Sequence, residues 1–251
     1  MDMETILNRG FHAMGLEPRE DAIQKLCRYS QLLLEQNQVM NLTAITDPEG
    51  VANLHFLDSA ALLAYGDQAL PSLERAPGTS WLAGKSVIDV GTGAGFPGVV
   101  LKILEPSLSL TLADSLGKRV SWLETVCAAL GLEGVTCIHA RAEELSLLPA
   151  HRDAYDLAVS RAVAGYPALA ELCLPFVKVG GAFLAMKSVE SGPEVASGEK
   201  AVNKLGGRPL PFLDYTIPGT EVVHRLVPAE KVRPTPRGLP RSWGKIKKSP
   251  L

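Results

Sequence analysis

Val87-Ile88-Asp89-Val90-Gly91-Thr92-Gly93-Ala94-Gly95-Phe96-Pro97-Gly98 is the stretch that decides the fold. Its apolar start has the length and β-branched content of a buried strand, and it ends in an acid, a glycine-rich turn and a proline suited to the first turn of a helix. Glycines permit positive backbone angles and leave no Cβ in the way of a ligand, and the first N–H groups of the following helix have no partner within the helix. A strand, turn and helix of this kind form the place where an α/β enzyme holds a nucleoside cofactor.

The turn fits two ligands. Gly93-x-Gly95-x-x-Gly98 matches a dinucleotide fingerprint, with Asp114 near the distance expected for its ribose-binding acid. Asp89 ahead of the closely spaced Gly91-x-Gly93-x-Gly95 resembles instead the acid-x-Gly-x-Gly motif of S-adenosylmethionine methyltransferases, in which the loop wraps the amino-acid end of the cofactor.

On either side of this turn the pattern is consistent. Downstream, strand-like runs near 86–90, 109–113, 135–139, 156–160 and 181–187 alternate with helical patterns near 97–104, 117–130, 166–177 and 193–205. Phe212 to Thr216 and Val222 to Val227, joined by Pro218-Gly219, read as two closing strands. The expectation is a doubly wound α/β protein with a mostly parallel seven-stranded sheet over residues 85–228.

Upstream, Ile23, Leu26, Ser30, Leu33 and Leu34 recur at helical spacing, as do Val51, Leu54, Asp58, Ala61, Leu62 and Tyr65, so residues 1–65 read as a helical extension. Asn37 to Thr43 reads as a side-chain-bonded turn between those helices. A linker over 66–84, with Pro71, Pro77 and Gly78, and a basic tail over 229–251 complete the chain.

Ligands of doubly wound folds sit outside the carboxyl ends of the strands. The first strand ends at Asp89 and Gly91. The second ends at Asp114-Ser115, where a carboxylate can accept hydrogen bonds from ribose hydroxyls or cap the next helix. The third leads to Arg141-Ala142-Glu143, whose acid either reaches an adenine edge or sits in a first helical turn where the dipole favours it. The fourth ends at Ser160-Arg161, a permanent cation either at the reactive centre or at the surface. His55 and Asp58, three apart on a helix, share a face, either as a structural pair or as substrate contacts.

Composition narrows the partners. The 251 residues are 46% hydrophobic, enough for one substantial core. No apolar run reaches the roughly 20 residues that span a bilayer, and the acidic start Met1-Asp2-Met3-Glu4 is unlike a signal peptide, so a cytoplasmic protein with no membrane partner is expected. Cys27, Cys127, Cys137 and Cys173 form no C-x-x-C pair, and the five histidines add only Cys137-x-His139, so reduced thiols and no metal are expected. From Arg225 onward, eight basic residues face Glu230 alone, a local charge of +7 that leaves −9 for the rest of a chain with a total of −2. Such a segment either neutralises phosphates of a polyanion or serves as a solubilising tail.

Beyond the glycine loop, Asp114-Ser-Leu-Gly-Lys-Arg119, Arg141-Ala-Glu143, Ser160-Arg-Ala162, Asn41-Leu-Thr43 and His55-Phe-Leu-Asp-Ser59 together resemble the RsmG/GidB family over nearly the whole chain. That family consists of bacterial methyltransferases that act on the N7 atom of a guanine in 16S ribosomal RNA of the small subunit. The resemblance implies a class I, Rossmann-like fold, S-adenosylmethionine as cofactor and S-adenosylhomocysteine as product. It puts cofactor contacts on Gly91, Gly93, Phe96, Ala142, Glu143 and Arg161, with Asp114 on the ribose. RNA contacts are expected from His55, Lys118, Arg119, Arg141, Arg225, Arg241, Lys245, Lys247 and Lys248. The expected substrate is the RNA in a small-subunit particle, met by a monomer. The tail reads Leu239-Pro-Arg241 and Gly244-Lys-Ile246 where the family tends to have Tyr-Pro-Arg and Gly-x-Pro. No acid or base is assigned, because guanine N7 carries a lone pair and loses no proton on methylation. A nicotinamide oxidoreductase would leave Asp89 and Ser160-Arg161 unexplained, and a non-catalytic assembly factor would have no need of an intact loop.

Overall fold

The structure is a computed structural model that describes residues 1–73 and 79–251. Five strands, β1 (Ser86–Val90), β2 (Ser109–Asp114), β3 (Val135–His139), β4 (Tyr155–Arg161) and β5 (Val177–Ser188), run parallel in the order β3-β2-β1-β4-β5. The helices between them are α5 (Gly98–Leu104), α6 (Gly117–Ala129), α7 (Ala142–Leu145) and α8 (Tyr166–Cys173), as parallel neighbours require crossovers. The central strands carry near-continuous apolar runs such as Val87 and Ile88, both fully buried, because helices cover both faces.

After β5, α9 (Gly192–Lys204) leads to β6 (Gly207–Pro209), β7 (Leu213–Thr216) and β8 (Val223–Lys231). β8 lies antiparallel to β5, and β6 and β7 share the other edge of β8, with Gly207 opposite Lys231 and Thr216 opposite Val223. The sheet therefore has eight strands rather than seven. The extra one arises because the last edge strand is broken: Pro209 and Pro211 have no N–H to offer a ladder. β8 also runs past Pro228 to Lys231, so the basic tail begins later than the charge pattern indicates.

The N-terminal segment is helical: α1 (Met3–Ala13), α2 (Glu20–Met40), α3 (Pro48–Gly50), a π-helical turn at Val51–Leu57 and α4 (Asp58–Ala69). α2 continues to Met40, and the expected turn starts at Asn41, whose φ is +44°. Asn37 ties that turn down, its Oδ1 accepting from Leu42 N at 2.6 Å and Thr43 N at 2.9 Å. Leu26, Tyr29 and Leu33 of α2 are buried in the same apolar cluster as Phe96, Val99 and Leu123, so these helices share one core with the sheet.

In the linker, Trp81 is buried and donates its indole N–H to Leu63 O at 3.1 Å, while Pro77 and Gly78 lie outside the described residues. A second cluster on the opposite sheet face joins α8 and α9 to Ile246 of α10 (Trp243–Lys248). All four cysteines are free, with Cys127 and Cys173 buried. Among the described residues no helix is long and apolar enough to cross a membrane, and no group of three or more His, Cys, Asp or Glu side chains is arranged to hold a metal ion.

Candidate active site

The glycine loop is built around Asp89. Its Oδ2 accepts from Thr92 Oγ1 at 2.7 Å and from Gly98 N at 2.8 Å, which ties the end of β1 to the start of α5. Burial pushes this carboxyl up to about 7, against the pull of those two hydrogen bonds, and its Oδ1 has no hydrogen-bond partner. Gly91, Gly93 and Gly95 have φ values of +69°, +61° and +109°, so the turn exists only because glycine occupies these positions. A Cβ at Gly95 would lie 2.5 Å from the Tyr29 hydroxyl, whereas one at Gly93 would meet nothing closer than 4.0 Å, on an open face. Tyr29 fastens the loop from the helical side, donating to Ala94 O at 2.5 Å.

Asp114 closes the other side. Its Oδ2 accepts from Gly93 N at 3.0 Å and its Oδ1 from Leu116 N at 2.9 Å, so it shapes the loop and the entry to α6 together. Asp114 lines a cleft of about 250 Å³ together with Gly91, Arg141, Ala142, Glu143 and Trp243. Glu143 is buried, and Arg141 is exposed at the rim. Gly91, Asp114, Ala142 and Glu143 therefore come together in one cleft, with Gly93 beside it through its bond to Asp114.

Arg161 belongs to a neighbouring, larger cleft of about 700 Å³ on the other side of the β4 end, and Phe96 lines neither cleft but packs behind this one against His55 and Arg161. Arg161 and Ala162 line the larger cleft, while Val163 lines the smaller one and packs where a Cβ at Gly91 would come within 2.5 Å of it. Ala162 holds φ +56°, a left-handed conformation that costs a residue with a Cβ energy and here lets the chain turn sharply between the two clefts. Phe96 is 5% exposed, with the His55 ring stacked on it at 4.5 Å and the Arg161 guanidinium 5.0 Å from its ring centre.

Arg161 is the centre of a buried polar cluster. It donates to Asp58 Oδ2 at 2.8 Å and Leu54 O at 3.1 Å, with His55 Nδ1 at 3.2 Å. Asp58, 1% exposed, also accepts at Oδ1 from the Tyr215 hydroxyl at 2.7 Å and has His224 Nδ1 at 2.8 Å. Burial alone would raise the Asp58 pKa, but hydrogen bonds from His224 and Tyr215 and the charge of Arg161 together hold it below the usual carboxylate range. His55, in the π-helical turn, and Asp58, at the start of α4, both bond Arg161 rather than each other.

Burial, reinforced by Arg161, lowers the His55 pKa to about 4, so the ring is neutral at neutral pH. A guanidinium only donates, so Nδ1 is the acceptor and Nε2–H donates to Thr43 Oγ1 at 2.7 Å. The unfolded chain binds this proton near pH 6.5 and the folded chain only near pH 4, so His55 costs stability as pH falls through that window and costs no more below it. Replacing His55 with glutamine is expected to flatten the pH dependence of the unfolding free energy between pH 6.5 and 4, measured by denaturant titration at several pH values.

The expected phosphate-binding set divides. Lys118, Arg141, Lys245, Lys247 and Lys248 are exposed, and Arg119 is half-buried with Asp114 at 3.6 Å. Arg225 is turned into the fold: it is 7% exposed, donates twice to Asp214 at 2.6 and 2.9 Å and lies 3.5 Å over the Phe212 ring. Arg241 is likewise engaged, forking onto Glu171, a carboxylate with no solvent exposure that would otherwise be an unpaired buried charge. Tyr215, His224 and Trp243 were not among the sequence candidates. Their only sequence signal is position near the end of the chain, remote from every motif they join.

A mostly parallel doubly wound sheet, closed by an antiparallel strand and carrying a glycine loop at the end of its first strand, is the class I S-adenosylmethionine methyltransferase fold. A crystal structure of TrmN from Thermus thermophilus shares that fold with a TM-score of 0.50 at 16% identity, over 72% of this chain and 53% of that one. Residues 22–218 match the model of the rRNA small subunit methyltransferase G family, GidB, and the chain belongs to that family. Curated relatives named ribosomal RNA small subunit methyltransferase G include one from Alkaliphilus metalliredigens, 43% identical over the full length of both chains. Another, from Symbiobacterium thermophilum, is 43% identical over 98% of this chain and 97% of its own.

Proposed function

We propose that this protein transfers a methyl group from S-adenosylmethionine to the N7 atom of a guanine in 16S ribosomal RNA. It acts as a cytoplasmic monomer on a small-subunit particle. The observation that carries the reading is the pair of clefts on either side of the β4 end: one is lined by Gly91, Asp114 and Glu143, and the other by His55, Asp58 and Arg161. The residues of the smaller cleft suit a nucleoside. Gly93 leaves room for a ligand, and Asp114 and Glu143 offer acceptors to ribose hydroxyls and a purine edge, while the buried, unpartnered Oδ1 of Asp89 can accept from a donor at the loop. When bound, the cofactor supplies an electrophilic sulfonium methyl group.

What the chain itself does is orient and exclude water. Gly91 and Gly93 would shape the cradle, Asp114 would fix the ribose, and Ala142 and Glu143 would border the base. Phe96 and Arg161 would separate the methyl end from solvent, with Arg161 held in place by Asp58. Guanine N7 attacks with a lone pair it already has, so alignment of the two reacting atoms supplies most of the acceleration and no general base is assigned. N7 of a paired guanine faces the deep, narrow major groove of A-form RNA, which side chains do not enter, so the target guanine must be unpaired.

Lys118, Arg141, Lys245, Lys247 and Lys248 would contact phosphates. Changing Lys245, Lys247 and Lys248 to glutamine is expected to weaken RNA binding and reduce the slope of log affinity against log salt by about 0.7 to 0.9 for each lost phosphate contact. Filter binding across a salt series measures this; an unchanged slope would remove the tail from the interface. The function itself is tested by incubating the protein with methyl-labelled S-adenosylmethionine and small ribosomal subunits that lack base methylation. Label entering the subunit RNA supports the reading, and a cofactor that binds without any transfer of label overturns it.

A further inference from the structure

The smaller cleft has one wall that comes from the far end of the chain. Trp243, the first residue of α10, lines it together with Asp114 and Glu143, and no motif of the glycine loop calls for an aromatic ring there. The next turn of the same short helix carries Lys245, Lys247 and Lys248, all exposed. Cations in a last helical turn complement the helix dipole, for which one would suffice; three, beside an aromatic ring in a ligand cleft, call for a further account.

The helix is anchored rather than loose. Ile246 is fully buried in the second apolar cluster, and Arg241 donates through its backbone N–H and guanidinium to Glu171. Arg152 ties the preceding segment by donating to the carbonyls of Leu239 and Thr235 at 2.9 Å. Glu171 is followed by Leu172, which lines the same cleft as Trp243. A load placed on the lysines therefore reaches the cleft by two routes, through Trp243 on the helix itself and through the Arg241–Glu171 pair to Leu172. Trp243 and Ile246 lie one helical turn apart, so the ring that lines the cleft and the buried core anchor are held on one short helix with the exposed lysines.

We infer that Trp243 is a wall of the adenosine pocket, and that α10 couples RNA binding on its lysines to cofactor binding in the cleft. The inference rests on the cofactor reading given above. An indole beside a purine supplies a flat apolar surface on which the base stacks, and loss of such a stack costs about 5- to 100-fold in affinity. Coupling through one rigid helix makes the two ligands favour each other, and the effect is reciprocal: the factor by which RNA tightens the cofactor equals the factor by which the cofactor tightens RNA.

The test measures S-adenosylhomocysteine affinity of the full chain by equilibrium dialysis, alone and with a saturating excess of small ribosomal subunits lacking base methylation. Wild type is expected to bind at least about fivefold tighter when subunits are present. Trp243→Ala is expected to bind S-adenosylhomocysteine about 5- to 100-fold more weakly and to lose the gain from subunits, while Trp243→Phe keeps most of both. Should the alanine variant fold poorly, intrinsic fluorescence decides. Trp81 and Trp122 are 4% and 5% exposed and do not line the cleft, although Trp122 donates to Ala94 O of the glycine loop, so most of the change on adding S-adenosylhomocysteine is expected to be lost in Trp243→Phe while binding persists. Wild type that fails to bind S-adenosylhomocysteine at all overturns the cofactor reading. Wild type that binds it, with Trp243→Ala equal to wild type or with no effect of subunits, overturns the role of α10 alone.

Discussion

Asp58→Ala is expected to lower the unfolding free energy by about 3–5 kcal/mol, because it leaves Arg161 as a buried cation without its carboxylate. The loss is large because Asp58 answers to four elements at once: Arg161 from β4, Tyr215 from β7, His224 from β8 and its own helix α4. At about 2–4 °C per kcal/mol for a chain of this size, the thermal midpoint should fall by roughly 10 °C. The pH dependence has a definite sign. The folded Asp58 pKa lies below its ordinary value, so its contribution is fully present above the unfolded pKa and fades as pH falls through the folded one. Wild type and Asp58→Ala should therefore converge in stability under acid. Asp58→Asn, which keeps a polar acceptor, should lose less than the alanine variant. A loss under about 1 kcal/mol for Asp58→Ala in urea titrations at neutral pH would mean that Arg161 finds water instead, and that the cluster is not a structural anchor.

Asp114→Ala is expected to weaken S-adenosylhomocysteine binding by about 10- to 100-fold, the equivalent of one hydrogen bond to a charged group. Two losses combine. The ribose loses its acceptor, and Gly93 N and Leu116 N lose theirs, so the loop relaxes as well. Asp114→Asn separates them: one oxygen remains for the loop, and affinity should fall between wild type and alanine. Calorimetric titration gives the comparison, and affinities within threefold of wild type would take Asp114 out of the cofactor site.

Much of the fold was legible because the central strands obey local rules. β1 and β3 begin and end where apolar runs meet turn residues, and the alternation of strand and helix forces a parallel sheet. The failures share a cause in long-range placement. Nothing in the neighbourhood of Arg225 reveals that it folds inward onto Asp214 and Phe212, and nothing near Arg241 announces the buried Glu171 that claims it. Counting charge along the tail treated both as free cations. The broken edge strand was signalled by Pro209 and Pro211, yet the pairing of both halves with β8 is a tertiary fact.

The candidate site divides in the same way. Gly91, Asp114 and Glu143 converge because each sits at a strand end, a position that periodicity predicts. Arg161 and His55 meet in the second cleft with Phe96 packed against both, a grouping that involves the π-helical turn and the left-handed Ala162, neither of which has a sequence pattern of its own.

The most direct measurement of the central claim locates the transferred methyl group. Undermethylated small subunits are incubated with the protein and methyl-labelled S-adenosylmethionine, and their RNA is then treated for strand scission specific to N7-methylated guanine. The account predicts cleavage at one guanine in 16S ribosomal RNA, coincident with the label and absent without protein. Label on a base atom that leaves the strand resistant to this scission, or scattered over many guanines, would contradict it.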